Sequence, residues 1–385
     1  MLTDNKQIAI IGGGPGGLTL ARLLQRKGAN VTVYERDADR NVRVQGATLD
    51  LHEESGLAAL QEAGLMDAFK ENYRPGADRM RITDKHATVL YDQHTETQNE
   101  TFGDEHFRPE IDRGPLREML LDSLQPGTVV WDSHLLSLTP DGAGWRLQFQ
   151  NGTTAVTDIV IGADGAGSKV RPFVTGIIPF YSGVTVVEGT VHDAAVHAPR
   201  IHALLKGGKI FALGDGKTLI VSAKGDGSLA FYTGCKMPEA WVRESGIDFK
   251  NNGQLLEWFQ QEFVGWDEVW NELFNDHTHF VPRPQYCMPP DQSWTAQNNI
   301  TVLGDAAHLM PPYAGEGVNM AMQDALELSR CLTGDFATVH DAIAAYEVQM
   351  RKRSSGVIQL TLEQTEAMHN EHSLSYMLDF FRERP

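Results

Sequence analysis

The chain has 385 residues, with 41% hydrophobic and 22% charged residues, which suggests two or three domains with ordinary globular cores. Its formal net charge of −18 argues against nucleic-acid and anionic-membrane partners. The N-terminus lacks the apolar core of a signal peptide, and no apolar run has membrane-spanning length. Three distant cysteines form neither a metal-ligand spacing nor a disulfide set, so we expect no metal and a reduced cytoplasm.

Residues 7–17 carry the strongest local pattern of the chain. A short β-branched run at 8–11 predicts a buried parallel strand, and a helix is predicted at 18–25. The turn between them has the G-x-G-x-x-G spacing, with Gly12, Gly14, Pro15 and Gly17. Such a turn lets backbone approach a pyrophosphate at a helix N-terminus. A second strand at 30–34 ends in Glu35, placed to accept from a ribose hydroxyl.

The next segments combine extended chain with two helices. Arg36 is either an adenine or phosphate contact or a surface arginine. Small residues at 46–48 suggest close approach to a ligand, and 55–64 predicts a helix that ends at Gly64. A hairpin is predicted at 79–91. Pro115 predicts the start of a further helix just after Arg113.

Strand patterns fill most of residues 128–282. Hairpin turns at 141–142 and 151–152 separate the first strands, and a buried strand at 158–161 runs into Asp164 and Gly165. The many short β-like runs of 173–282 predict a mostly antiparallel sheet, covered by aromatic-rich helices at 255–263 and 267–274. We interpret this block as a second domain.

A buried strand at 299–303 leads into a second glycine-rich turn. Asp305 follows the strand's carboxyl end, where doubly wound sheets bind ligands, although it could also be a helix N-cap. Residues 315–319 open a helix whose N–H groups can face a flavin ring or pyrophosphate. His308 is either a base or, as we favour, a structural histidine. Helices at 339–368 and 373–382 are predicted to end the chain.

Three pieces together, the Gly12 turn, Asp164-Gly165 and residues 304–308 with Pro312, resemble the single-component FAD-dependent aromatic hydroxylases. Residues 34–37, 48–52 and 304–319 are most similar to the tetracycline-inactivating flavin monooxygenases of the TetX type. The resemblance implies non-covalent FAD, NADPH as reductant, O2 as co-substrate and hydroxylation of an aromatic or polycyclic phenolic substrate through a flavin hydroperoxide. A tetracycline-type antibiotic is the plausible substrate.

The same resemblance implies roles for individual residues. FAD would be held by Glu35, Arg36, Asp50, Arg113 and Asp305, and Arg43 would serve NADPH. Asp164 and Gly165 would support the pyrophosphate. Gly304 would also bind the cofactor, and Pro312 would lie at the flavin edge. The isoalloxazine would be lined by residues 315–319, with Gly315, Gly317, Val318 and Asn319. No protein residue is expected to be the catalyst, because the flavin carries the chemistry.

The implied fold is an α/β fold of the para-hydroxybenzoate hydroxylase type. A discontinuous Rossmann-like FAD-binding domain would comprise residues 1–75, 106–172 and 283–338. A mostly antiparallel β substrate domain would comprise 76–105 and 173–282, and C-terminal helices 339–385. We expect a monomer.

The substrate pocket is predicted between the flavin edge and the second-domain sheet. Its residues would be Glu188, Lys209, Phe211, Tyr232 and Tyr313. Lys209 would pair with an enolate or phenolate, unless it is an ordinary solvated lysine. Glu188 and Ala230 replace an amide and an imidazole of the similar family, so the substrate could be a different aromatic metabolite. Another flavoprotein activity, such as halogenation or dehydrogenation, and a non-enzymatic protein-binding relative stay as alternatives, although the halogenase Trp-x-Trp-x-Ile-Pro pattern is absent.

Overall fold

A computed structural model of the protein describes residues 1–42, 46–96, 101–104 and 107–382. Within these residues the chain forms seventeen strands. In chain order, β1 to β17 are Gln7–Ile11, Asn30–Tyr34, Leu49–Asp50, Met80–Asp84, Val89–Asp92, Glu110–Ile111, Val129–Val130, Leu135–Asp141, Gly144–Phe149, Thr154–Thr157, Ile159–Gly162, Phe180–Val191, Lys209–Gly214, Lys217–Ala223, Leu229–Lys236, Thr278–Cys287 and Ile300–Val302.

The same residues form thirteen α-helices and several single turns of 3-10 or π helix. In chain order, α1 to α13 are Pro15–Arg26, Ala58–Ala63, Met66–Asn72, Arg113–Asp122, Arg171–Val174, Ala194–His197, Pro199–Leu205, Trp241–Glu244, Asn252–Glu262, Asp305–His308, Gly317–Thr333, Val339–Met368 and Ser373–Arg382. The turns are Glu53–Leu57, Gln93–Thr95, Glu268–Leu273 and Pro312–Ala314.

The first sheet is parallel, in the order β17-β11-β1-β2-β7. Its central strands are buried because β1, β11 and β17 share one hydrophobic core with α1 and α11, which also pack against one another. The sheet brings together the carboxyl ends of β1, β11 and β17, which are far apart in sequence. The predicted turns that follow these strands, at Gly12, Asp164 and Asp305, therefore meet at one edge of the sheet.

The second sheet is mostly antiparallel, in the order β16-β12-β15-β14-β13-β4-β5, with one parallel pair between β13 and β4. One face packs on its own core with α7, α9 and the turn Glu268–Leu273. The other face turns toward the first sheet. The predicted α/β class with a mostly antiparallel second sheet and C-terminal helices is confirmed.

Several predicted boundaries differ from the structure. Helix α4 begins at Arg113 rather than Pro115, and the second aromatic-rich helix is a 3-10 helix. The short helices α6 and α7 interrupt a segment whose pattern suggested strands alone. The predicted domain boundary at residue 282 falls inside strand β16, because the pairing of β16 with β12 continues to Cys287.

Candidate flavin and substrate site

One cavity of about 1510 Å³ runs between the two sheets. Its wall on the first-sheet side includes Gly14, Pro15, Gly17, Gly304 and Asp305. The loop Pro312 to Gly315, with Gly317 and Val318 behind it, lies midway, and strands β12 to β15 form the opposite wall. Most of the predicted cofactor and substrate residues therefore line a single connected space, although no spacing in the sequence joins them.

The glycine turn after β1 fits a phosphate-bearing ligand. Gly12 adopts φ +109°, in the region that favours glycine. A Cβ on Gly17 would overlap the carbonyl of Gly12, so only glycine lets α1 pack this close to β1. A Cβ on Gly14 meets nothing, and Gly14 is the N-cap of α1. The helix thus presents unpaired N–H groups to the cavity.

Glu35 lies beside this turn, at the end of β2. Its buried carboxylate accepts hydrogen bonds from the backbone N–H groups of Gly13 and Asp37. Two oxygens can accept further bonds, so the position suits a ribose hydroxyl. Arg36 is exposed. Neither residue contributes to the cavity wall.

Asp305 and Asp164 lie in adjacent turns, but their carboxylates differ in their hydrogen-bond partners. The Asp305 side chain is exposed to the cavity and accepts no hydrogen bond from the described residues. The Asp164 carboxylate instead accepts from the Ser168 hydroxyl and the Lys169 N–H, both at 2.6 Å. Asp164 therefore shapes its turn, while Gly165 lines the cavity.

Arg171 joins these two turns and was not among the predicted site residues. Its guanidinium donates to the carbonyls of Ala166, Asp305 and Ala306 at 2.7–2.9 Å. The side chain is 7% exposed, and burial lowers its pKa. A buried arginine that satisfies three carbonyls fixes the relative position of the turns.

Asp50 and Asn319 connect β3 to α11. The Asn319 amide is fully buried; it donates to the Asp50 carbonyl and accepts from the His52 N–H, each at 2.9 Å. Asn319 consequently lies behind the cavity wall, and Asp50 lines it. Burial alone would raise the pKa of Asp50, but the His52 ring at 3.0 Å and the Lys209 charge lower it to about 2.

Arg113 lines the cavity at the start of α4. Its Nε donates to the Ala47 carbonyl at 3.0 Å, and a Cβ on Gly46 would come within 2.8 Å of that nitrogen. Residues 46–48 also line the cavity, and their predicted close approach to a ligand stays a prediction. Arg43 lies outside the described residues, so its predicted role stays a prediction.

His308 has an orienting partner that the sequence did not reveal. Its Nε2 lies 2.6 Å from the Asp324 carboxylate, which also binds Arg353 and the Gly304 N–H. Burial opposes the charged ring, but Asp324 raises the pKa of His308. The ring is 1% exposed and does not line the cavity, which supports a structural role.

The second sheet presents a row of side chains to the cavity. Glu188 on β12 pairs in register with Tyr232 on β15, followed by Ile220 and Phe211 on the next strands. All four line the cavity. Ala230 is fully buried and does not. The Tyr232 hydroxyl accepts from the Ala47 N–H at 2.7 Å, so this tyrosine spans from the second sheet to the first domain.

Lys209 and Glu188 each have a protein partner that sequence reasoning missed. The Lys209 ammonium donates to Glu110, whose side chain is 1% exposed, and Glu188 accepts from Arg283. Lys209 therefore reaches the cavity with its charge already balanced. The partners of Lys209 and Glu188 lie 99 and 95 residues away in the chain, respectively. No local sequence pattern predicts such pairs.

Residues 5–239 and 292–361 match the family described as the FAD binding domain. The chain belongs to this family of FAD-dependent monooxygenases. It is 30% identical to monooxygenase penA of Penicillium thymicola over 93% of this chain and 94% of the relative. The resemblance to flavin-dependent hydroxylases found in the sequence is confirmed.

Solved structures share the fold of this flavoprotein. Klebsiella pneumoniae HpxO complexed with FAD and uric acid has a TM-score of 0.77 at 21% identity, covering 99% of this chain and 94% of that one. The tetracycline destructase Tet(55) has a TM-score of 0.76 at 18% identity, covering 99% and 96%.

Three further features of the flavoprotein concern membrane spans, metal sites and thiols. Among the described residues, no helix is long and apolar enough to cross a membrane. Nor does the described part of the chain hold a group of three or more His, Cys, Asp or Glu side chains that suits a metal ion. The three cysteine thiols are free and buried.

Proposed function

We propose that this flavoprotein uses NADPH and O2 to hydroxylate an aromatic or polycyclic phenolic substrate, of which a tetracycline is the first to test. One observation carries the proposal: the glycine turn, Asp305, the loop at Pro312 and the row from Glu188 to Phe211 line one cavity. Its volume of about 1510 Å³ exceeds that of a usual drug-sized pocket, so it has room for cofactor and substrate together.

FAD, when bound, would supply the reduced flavin that activates O2. Residues of this chain would bind and orient it: the α1 N-terminus toward the pyrophosphate, Glu35 toward a ribose and Asp305 toward the ribitol. The loop Pro312 to Gly315 would line the ring. Phe211 and Tyr232 would give flat walls that orient an aromatic substrate and exclude water.

Residues of the second sheet also give a reason to test substrates other than tetracyclines. Glu188 replaces an amide of the tetracycline-inactivating family, and the Tyr232 hydroxyl is already bound to Ala47. A site built around polar contacts discriminates strongly when those contacts change. A different aromatic metabolite is therefore the alternative substrate class.

The test measures NADPH and NADH oxidation by the FAD-loaded protein with a panel of tetracyclines, phenols and aromatic carboxylates. We expect a substrate-stimulated rate, a preference for NADPH and a product heavier by about 16 mass units, as oxygen insertion requires. Arg43→Ala should slow flavin reduction without loss of FAD. A protein that retains no flavin and consumes no NADPH with any member of the panel would overturn the proposal.

We also propose a cytoplasmic monomer. The free, buried thiols fit a reducing compartment. Light scattering of the purified, FAD-loaded chain would measure its mass, and a dimer mass would contradict this part.

A further inference from the structure

Four methionines of the described residues line the cavity: Met80, Met310, Met368 and Met377. Three of them lie in the apolar cluster beneath α13, where Met80, Met368 and Met377 are only 2–7% exposed. Met310 differs from these three because it is half-buried. Its thioether is therefore the one among the four that a small molecule in the cavity reaches most easily.

Met310 lies at the end of the cavity proposed for the flavin. It stands between α10, which begins at Asp305, and the loop Pro312 to Gly315. Asp305 is proposed to bind the ribitol, and the loop is proposed to line the ring. An oxidant that forms where the reduced flavin meets O2 therefore forms at the same end of the cavity as this sulfur.

Two hydrogen bonds hold the Met310 segment in place. The Thr361 hydroxyl on α12 donates to Sδ of Met310 at 3.6 Å. The backbone beside it is fixed, because the Leu309 carbonyl accepts from the Met288 N–H at 2.8 Å. Met310 also packs in an apolar cluster with Cys287. These contacts keep the sulfur at the cavity wall.

The thiol of Cys287, in the same apolar cluster, does not compete for an oxidant. Its side chain is fully buried, and burial raises the pKa of the thiol to about 12. The reactive thiolate is therefore scarce at neutral pH. A thioether has no proton to lose, so its oxidation by peroxide needs no such ionisation.

The oxidant that suits this site is hydrogen peroxide, which the proposed activity produces when no substrate takes up the oxygen. NADPH, O2 and one proton then give NADP⁺ and H2O2, which is a two-electron reduction of O2. H2O2 transfers one oxygen atom to the Met310 sulfur and leaves as water. The thioether becomes a sulfoxide, which is polar and chiral.

We propose that Met310 is oxidised to its sulfoxide by the peroxide that this cavity produces, and that the sulfoxide slows further NADPH oxidation. The inference rests on the proposed function, since it requires a bound flavin that reduces O2. The added oxygen enlarges the side chain and places a polar group among apolar contacts, which disfavours the present packing beside the loop Pro312 to Gly315. Because sulfoxide reductases reverse this reaction, the loss of rate is reversible.

The first experiment incubates the FAD-loaded protein with NADPH in air, without substrate and with catalase in solution. Catalase destroys released peroxide but is too large to enter the cavity. Peptide mass spectrometry measures the sulfoxide, heavier by about 16 mass units, at each methionine. Met66 and Met237 are the matched controls, because they are also half-buried but lie outside the cavity. We expect about tenfold more sulfoxide at Met310, as proximity to the source predicts.

A second arm adds H2O2 to the FAD-loaded protein without NADPH or catalase. We expect similar oxidation of Met66, Met237 and Met310, because their exposure is similar. Equal oxidation of the three during turnover with catalase, or the same preference for Met310 with added H2O2, overturns the inference. If the protein oxidises no NADPH, the proposed function loses its reductant. Flavin reduced by light with EDTA and then exposed to air still tests Met310 in that case.

The last arm follows the rate of NADPH oxidation over time. The rate should fall as the Met310 sulfoxide accumulates, and it should recover after treatment with methionine sulfoxide reductases A and B. Met310→Leu conserves the side-chain volume but has no sulfur at this position, so its rate should decline more slowly. A constant rate while the wild-type Met310 becomes sulfoxide, or an equal decline in Met310→Leu, overturns the proposed effect on turnover.

Discussion

The hydroxyl oxygen of Tyr313 lies 3.2 Å from Nε2 of His369, and their rings pack edge to face with centroids 4.8 Å apart. Nδ1 of His369 lies 2.7 Å from the Thr365 carbonyl, which can only accept, so Nδ1 carries the proton. Nε2 is then free to accept from Tyr313. The loop that lines the proposed flavin ring is thereby tied to the end of α12, and both residues contact the second sheet near Thr218.

Gly234 makes room for this contact. A Cβ there would lie within 2.7 Å of the Tyr313 hydroxyl and closer still to Thr218 and His369. We expect Gly234→Ala to displace Tyr313 and to lower the free energy of unfolding by about 1–3 kcal/mol, the cost of overpacking. Urea unfolding and the KM for the substrate identified in the panel are measured together.

Gly356→Ala is the matched control for that variant. Gly356 lies inside α12, and a Cβ there meets nothing within 4 Å. Alanine should stabilise the helix by about 0.5–1 kcal/mol, because glycine loses more backbone entropy on folding. A Gly234→Ala protein as stable as the wild type, with unchanged KM, would show that the sheet tolerates the added methyl.

Acid should weaken the fold through His369. Burial lowers the pKa of His369 from 6.5 to about 4, against the opposing effects of the Thr365 carbonyl and Glu366 and with the help of Lys236. Between those values the unfolded chain binds a proton that the folded chain does not. The stability that the neutral ring provides is therefore complete above pH 6.5 and lost as the pH falls toward 4.

The expected loss is up to about 3 kcal/mol between pH 7 and pH 4, at 1.36 kcal/mol per pKa unit. His308 acts in the opposite sense because Asp324 raises its pKa. The His369→Gln variant does not titrate at position 369. Comparing its stability with that of the wild type therefore separates the contribution of His369 from that of His308. Urea unfolding at several pH values should give a shallower pH dependence in the variant, and parallel curves would contradict the assignment.

Local patterns predicted the strands and turns that line the cavity, whereas contacts between residues distant in the chain could not be predicted from them. The turn at Gly12 and the position of Asp305 after a strand could be predicted because turns and strand ends depend on neighbouring residues. The contact of Arg171 with Asp305 joins positions 134 apart, and that of Tyr313 with His369 joins positions 56 apart. Such pairs depend on how the two sheets meet, which no single stretch of sequence specifies.

Loss of the Asp305 carboxylate should weaken FAD. Its side chain faces the cavity with no partner among the described residues, so a bound ribitol would give it one. Asp305→Ala should reduce FAD affinity by about 1–3 kcal/mol, roughly fivefold to 150-fold. Fluorescence titration of the apoprotein with FAD measures it, and Asp291→Ala removes an exposed carboxylate outside the cavity as a control. Equal affinities in both variants would limit Asp305 to a role at the start of α10.

Arg171 should matter for both stability and FAD binding, because its guanidinium donates to carbonyls in two turns that we propose to face the flavin. Arg171→Met leaves the carbonyls of Ala166, Asp305 and Ala306 without this donor, and we expect a loss of about 2–4 kcal/mol in the free energy of unfolding. Arg171→Lys keeps the charge, but one ammonium cannot reach both turns. Its free energy of unfolding should therefore lie between those of Arg171→Met and the wild type.

The same variants separate positioning from bulk stability. With the turns no longer joined, the Gly165 backbone and the Asp305 carboxylate should lose their fixed separation, and FAD affinity should fall about tenfold at a temperature where the apoprotein is still folded. Arg146→Met, which breaks an exposed pair with Asp141, should change neither quantity by more than about 1 kcal/mol. An Arg171→Met protein that is less stable but binds FAD as tightly as the wild type would show that the arginine supports the fold and does not set the cofactor site.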